Sequence, residues 1–258
     1  IFGIITMLKT RVIPCLLLKS SGLVKGKKYK NHKYVGDPIN TIKIFNAKEV
    51  DEIIVLDITA TKENKGPNFS LIEKFSSECF MPLCYGGGIK TMQQAGALFS
   101  LGVEKVCLQS SAYNDLKLIK EISNKYGNQS VVVSVDIKKN WLKKDSLYNA
   151  SSGKILRKSY IEFIKECIDA GAVEIMINSV NHEGNMKGMN LDLISKVSAL
   201  SIIPVIASCG VGEMNDIKLA SEAGASAIAV GSFFVYHGPH RAVLITFPTN
   251  KELNKLLG

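Results

Sequence analysis

Short apolar runs rich in β-branched residues recur along the chain, each followed by a longer stretch whose apolar positions return every three or four residues. The first pattern suits a strand buried on both faces and the second a helix with one apolar stripe. Their alternation is that of βα units on a parallel sheet. Eight strands can be placed, at Arg11–Leu17, Glu52–Asp57, Met81–Tyr85, Lys105–Leu108, Ser130–Asp136, Glu174–Asn178, Ile203–Ala207 and Ala227–Val230. Between them the periodicity predicts helices at Pro38–Val50, Asn68–Glu78, Thr91–Leu101, Leu116–Tyr126, Ser159–Ala170, Leu191–Leu200 and Met214–Ala223.

The second half of the pattern copies the first. Glu52–Ser110 laid on Glu174–Ser232 without a gap matches Glu52 with Glu174, Gly66 with Gly188, Pro82 with Pro204, Gly88 with Gly210, Met92 with Met214, Gly102 with Gly224 and Ser110 with Ser232. Repetition at this scale fixes architecture before any single motif does. Four units in each half give an α/β fold, a (β/α)8 TIM barrel built from two duplicated half-barrels. Barrels of this length form one domain, expected here over residues 7–258. Met7 reads as the natural start, with residues 1–6 lying upstream of the fold.

With 46% apolar residues in 258, the chain can bury one large core. The six cysteines, Cys15, Cys79, Cys84, Cys107, Cys167 and Cys209, form no CxxC pair and several sit inside apolar runs. Buried reduced thiols and a cytoplasmic location are expected. The four histidines, His32, His182, His237 and His240, fit no zinc-ligand spacing, so neither a metal nor another cofactor is expected. The apolar start is interrupted by Lys9 and Arg11, well short of the roughly 20 residues of a membrane span.

The net charge of +9 is uneven, concentrated at Lys25, Lys27, Lys28, Lys30 and Lys33 and again at Lys138, Lys139, Lys143 and Lys144. Each run directly follows a predicted strand. They read either as solvated loop lysines or as an electrostatic funnel drawing a small anionic substrate to one face. Aromatic residues are not interleaved with them, which argues against nucleic acid.

In such barrels catalytic groups sit at the carboxyl ends of the strands and stability or partner contacts at the other. Asp57, Gly86–Gly88, Gln109, Ser110, Asp136, Ser179, Ser208–Gly210, Gly231 and Ser232 fall at the first end. Glycine after a strand lets backbone N–H groups close on an anion, so the two halves offer paired cradles for a substrate with a phosphate at each end. Tight barrel turns are the alternative reading. Asp136 ends the run Val131-Val-Val-Ser-Val135, where burial would raise its pKa toward the range of general acid-base work; pairing with Lys138 or Lys19 is the structural alternative. At the opposite end Arg11, Glu52, Lys105 and Glu174 put two cations and two anions on four strands. Buried charges persist when paired, so a ring of salt bridges is expected, a plug or a gate for a small molecule.

At these residues the chain resembles the cyclase subunit of imidazole glycerol phosphate synthase. The resemblance runs from Met7 to about Tyr236 and is carried by Arg11-Val-Ile-Pro-Cys15, Val24-Lys25-Gly26, Gly36-Asp37-Pro38, Leu56-Asp57-Ile-Thr-Ala60, Gly86-Gly-Gly-Ile89, Val131–Asp136 and Ile206-Ala-Ser-Cys-Gly210. It implies a barrel that takes ammonia from a glutaminase subunit docked on its amino-terminal face and closes an imidazole ring on a bisphosphorylated ribulosyl substrate. It implies phosphate contacts at Gly88, Gln109 and Ser110 in one half and at Glu183, Gly184, Gly210, Gly231 and Ser232 in the other. Arg11, Glu52, Lys105 and Glu174 match the family's charged ammonia gate, Asp136 matches one catalytic aspartate, and Lys19, Lys25 and Asp57 are candidates for electrostatic contact with substrate.

The family's other catalytic aspartate should stand where this chain has Leu17, and leucine exchanges no proton. General acid-base catalysis contributes about 10²- to 10⁴-fold, so the resemblance implies a gate kept and a chemistry altered. Ser20-Ser21 in place of an acidic-glycine turn, Cys209 in place of glycine and Glu183 in place of aspartate are smaller departures. The tail Tyr236–Pro248 resembles a paralogous branch, found in bacterial surface-polysaccharide clusters, that feeds ammonia to an amidotransferase making acetamidino sugars. That branch implies the amidotransferase as a further partner. A histidine-pathway cyclase tolerating Leu17, a non-enzymatic scaffold that activates a glutaminase, and an isomerase of the same half-barrel design are the competing readings.

Overall fold

The computed structural model describes residues 10–127 and 129–258; residues 1–6 and the start at Met7 lie outside the described residues. Eight parallel strands close on themselves: β1 (Arg11–Lys19), β2 (Ile53–Asp57), β3 (Leu83–Gly86), β4 (Lys105–Leu108), β5 (Val131–Lys139), β6 (Glu174–Ser179), β7 (Val205–Ser208) and β8 (Ala227–Val230). Each pairs with the next, β8 pairs back to β1 with Arg11 opposite Ala227, and β5 pairs with β6 with Asp136 opposite Asn178. Outside them lie α1 (Pro38–Ala47), α2 (Phe69–Ser76), α3 (Met92–Ser100), α4 (Lys117–Tyr126), α5 (Tyr160–Asp169), α6 (Leu191–Leu200), α7 (Met214–Glu222) and α8 (Asn250–Leu257). This is the (β/α)8 barrel.

The strands are buried on both faces because two apolar layers meet there. The larger packs helices onto the outside of the sheet; the smaller fills the barrel interior with Ile13, Cys15, Ile54, Cys84, Cys107, Val132, Met176, Ile206, Ala227 and Ala229. The duplication reaches single hydrogen bonds. Pro82 and Pro204, which have no N–H for a ladder, lie just ahead of β3 and β7, and their carbonyls accept from Ile53 and Ile175 N–H at 2.9 and 3.1 Å. Asn68 and Asn190 cap α2 and α6 alike, each side chain accepting from the N–H three residues on.

Three features depart from the expected plan. β1 and β5 run on past their barrel portions, and each turns into an antiparallel hairpin on the carboxyl-end face. Gly22–Lys27 and Lys30–Gly36 form the first and Asp145–Asn149 the partner of β5 in the second. Both occupy the lysine-rich segments read as loops, where lysine and glycine weaken the strand signal. The third is the last helix, α8, which the periodicity did not predict. It is short and polar, starts at a capping box formed by Thr249 and Glu252, and is preceded by Phe247, which packs on Phe45 and Phe234.

Candidate active site

At the carboxyl ends of the strands a cavity opens, lined by groups from both halves. Asp136 stands in it at the end of β5 and is 1% exposed. Its Oδ1 accepts from the Tyr29 hydroxyl and from Asn178 Nδ2, both at 2.9 Å. Its Oδ2 has no partner among the described residues. Burial pushes the carboxyl up to about 6, against the hydrogen bonds from Tyr29 and Asn178. The expected alternative, a pair with Lys138 or Lys19, is not what holds it. Leu17, on β1, also lines the cavity and offers no second titratable group.

The glycine turns are shaped by contact. Gly88 has φ +72°, and a Cβ there would lie 2.8 Å from the Lys65 carbonyl; at Gly210, φ +115°, it would lie 2.3 Å from the Gly188 carbonyl. Around Gly88, Gln109 and Ser110 complete one cradle, with Ser110 Oγ 2.8 Å from Ser151 Oγ. Around Gly210, Gly231 and Ser232 complete the other. Lys25 is buried beside it, its Nζ donating to the Cys15 carbonyl at 2.6 Å and touching the space over Gly231. Burial lowers its pKa. It is therefore not one of the solvated loop lysines, while Lys19 is exposed at the end of β1 and outside the cavity lining.

Cys209 adopts φ +77°, the left-handed conformation that its counterpart Gly87 reaches at +121°. Glu183 and Gly184 line the cavity, but the polar groups of Glu183 face the first hairpin, and the Gly184 carbonyl accepts from Arg241 Nη2 at 2.8 Å. The Glu183 carboxylate accepts from Tyr29 N–H at 2.9 Å and its carbonyl from Lys28 N–H at 3.1 Å. The carboxylate of Asp57 accepts from Thr59 N–H, Thr59 hydroxyl and Ala60 N–H at 2.8, 2.9 and 3.0 Å, so it ties down the turn after β2 while lining the cavity. Tyr29, Asn178 and Ser134 are site residues the sequence did not single out. Asn178 was legible as the last residue of a predicted strand; Tyr29 depends on a hairpin with no strand signal.

At the other end of the barrel Arg11, Glu52, Lys105 and Glu174 form a closed ring. Arg11 bonds both glutamates, and Lys105 Nζ reaches Glu52 at 3.0 Å and Glu174 at 2.9 Å. Burial works against both cations, yet the carboxylates of Glu174 and Glu52 raise them above their usual values. Between ring and cavity the interior is apolar, with the thiols of Cys15, Cys84 and Cys107 in the column. All six cysteines are free, no cluster of metal-ligating side chains is gathered among the described residues, and no described helix is long and apolar enough to cross a membrane.

Comparison with known proteins gives a consistent picture. Residues 11–240 match the family described as histidine biosynthesis protein. A Pseudomonas aeruginosa protein, provisionally named imidazole glycerol phosphate synthase subunit hisF2, is 48% identical over 97% of this chain and 99% of its own length. A similarly named hisF3 protein of Vibrio vulnificus is 44% identical over 97% of each. The imidazole glycerol phosphate synthase subunit HisF of Exiguobacterium sibiricum is 34% identical over 98% of each.

Proposed function

The chain belongs to the histidine biosynthesis protein family, among the HisF subunits of imidazole glycerol phosphate synthase, and on that premise we propose that it receives ammonia through its barrel. The source is a HisH-like glutaminase docked on the amino-terminal face. The ammonia is used in the carboxyl-end cavity, or passed from it to an amidotransferase, for amidation of a phosphorylated or sugar substrate in surface-polysaccharide synthesis. The observation that carries this reading is the closed ring of Arg11, Glu52, Lys105 and Glu174 at the floor of an apolar column that leads to the cavity. A ring whose partners can exchange is a gate for a small neutral molecule, and an apolar column admits ammonia while disfavouring ammonium, whose desolvation is costly.

In the cavity, Gly88, Gln109 and Ser110 in one half and Gly210, Gly231 and Ser232 in the other would take the anionic ends of the substrate through backbone N–H and hydroxyl donors. Lys25 adds a cation to the second cradle. Asp136, poised near neutrality, exchanges a proton through Oδ2. Lacking a second carboxylate at Leu17, the site is short of the acid-base pair that imidazole closure uses.

The test is ring closure of the bisphosphorylated ribulosyl substrate with excess ammonium salt, comparing the natural protein with Leu17→Asp. Activity gained only by the variant, or seen in neither, supports the ammonia-handling reading. Turnover by the natural protein at a rate near the variant's would return it to the histidine-pathway cyclase, the second reading, which the free oxygen of Asp136 favours. A glutaminase activated by the chain when the cavity is blocked by Gly210→Trp, with no ammonia emerging, would instead mark a scaffold.

A further inference from the structure

The hairpin after β1 does more than cover the cavity. Its tip residues Lys28 and Tyr29 both have left-handed backbone, φ +51° and +62°, a conformation uncommon for side chains of this size. What holds them there is the loop after β6: Lys28 N–H on the Glu183 carbonyl, Tyr29 N–H on the Glu183 carboxylate, and Gly184 packed against Gly26. Strained backbone persists where surrounding contacts over-determine it and clusters at functional sites. Here the strain aims one phenol into the barrel mouth, where it meets Asp136.

We infer that Tyr29 is the positioning residue of Asp136: its hydroxyl and the Asn178 amide together hold Oδ1, leaving Oδ2 as the one oxygen that exchanges a proton with a bound substrate. The inference rests on the reading of Asp136 as the proton-handling group. The carboxyl sits at the end of an apolar strand, so without donors it would be held neutral by burial alone. Two donors on one oxygen fix the rotamer and stabilise the ionised form, and the other oxygen is left without a partner among the described residues. In a site where β1 supplies Leu17, the hairpin that β1 leads into supplies a phenol at Asp136. The other ionisable groups facing Asp136 are Glu183 and Cys209, from the loops after β6 and β7, and Tyr113, whose hydroxyl accepts from Asp136 N–H at 3.3 Å. None of these three donates to either carboxyl oxygen.

The experiment is a pH titration of ¹³C-labelled aspartate carboxyls by NMR in the full chain, with the Asp136 signal assigned by its loss in Asp136→Asn. Tyr29→Phe keeps the ring and its burial and removes only the donor, so the Asp136 midpoint should rise by about one pH unit. A midpoint that stays or falls overturns the proposal. A second measurement guards against a poorly folded variant: in Asp136→Ala the Tyr29 phenol loses its acceptor, and hydrogen exchange at the Lys28 and Tyr29 amides should accelerate at least several-fold; unchanged exchange there also overturns it. Neither measurement needs a substrate. If the midpoint moves but Asp136→Asn leaves ammonia-dependent turnover intact, positioning stands and the role given to Asp136 falls.

Discussion

Phe80 and Ile202 stand at equivalent places in the two half-barrels, each two residues before the proline that precedes a strand, and both are almost fully exposed, at 84% and 87%. They lie on the amino-terminal face, on the same side of the barrel as the ring of Arg11, Glu52, Lys105 and Glu174. Large apolar side chains exposed around a single feature mark contact surfaces more than chance does. Phe80→Glu and Ile202→Glu are each expected to weaken activation of a glutaminase partner by about tenfold or more while leaving the melting temperature nearly unchanged. Titrating glutaminase activity with each variant checks this; full activation by the double variant would remove this face from the interface.

Gly184 is the residue on which hairpin docking turns. Its φ is +65°, and a Cβ would lie 2.0 Å from the Gly26 carbonyl, a backbone atom that has no flexible end to move away. Gly184→Ala should therefore lift the hairpin, exposing the Lys25–Lys33 segment to protease and losing the Tyr29 hydroxyl from Asp136. Limited proteolysis with trypsin reads it directly. A hairpin as well protected as in the natural protein would show that the loops absorb the methyl group without parting.

Much of this was legible in the sequence, and the parts that were not share a physical cause. The barrel strands could be placed because each is buried on both faces and so is written in β-branched residues, as in Val131–Val135. Gly88, Gly210 and the four charges at the floor were legible because duplication repeats them or because charge at the start of an apolar strand demands pairing. The hairpins were not, because Lys30–Gly36 is largely exposed and the lysines Lys27, Lys30 and Lys33 report solvent, not ladder, while Gly22–Lys27, buried from Leu23 to Gly26, is diluted by two glycines and Lys25. Tyr29 was hidden with them: its role comes from a tertiary contact with Asp136, 107 residues away. Lys25 looked like its neighbours in the run and is buried, a distinction that only packing makes.

Cys209 occupies a backbone conformation that its counterpart Gly87 takes without penalty. A left-handed φ costs a non-glycine residue about 1 kcal/mol or more, and most for β-branched side chains. Cys209→Gly is expected to leave stability unchanged or slightly higher, and Cys209→Val to lower it by about 1–3 kcal/mol. Urea denaturation of both variants gives the comparison. Equal stabilities would mean the loop relaxes around the larger side chain.

Opening the floor ring should cost stability in a pH-dependent way. Glu52→Gln leaves Arg11 and Lys105 sharing Glu174 alone. Arg11 and Lys105 keep 29% and 18% side-chain exposure, so the loss should be about 1–3 kcal/mol, below that for a fully buried pair. Lys105 is raised above its usual 10.5 in the folded chain, so its contribution is complete below that pH and fades as the pH climbs through the higher native value. The gap between natural protein and variant should be constant from about pH 7 to 9 and narrow above 10.5. A gap that does not narrow would assign the loss to packing.

Asp136 also costs stability as the pH rises, but in a lower range and as a penalty on the folded chain. Its folded-state value, about 6, lies above the usual 3.8, so the folded chain binds the proton more tightly than the unfolded one. Stability is therefore greatest below the unfolded value and falls as the pH rises from about 4 to 6, leaving a penalty at neutral pH of about 1–3 kcal/mol from ionising a buried carboxyl. Asp136→Asn removes that penalty while keeping an oxygen for Tyr29 and Asn178. The variant should be more stable than the natural protein at about pH 7 and lose that advantage as the pH falls to about 4, measured by denaturant melts across the range. A variant less stable at neutral pH would show that the carboxylate's hydrogen bonds outweigh its burial, and that the site is built to hold Asp136 ionised.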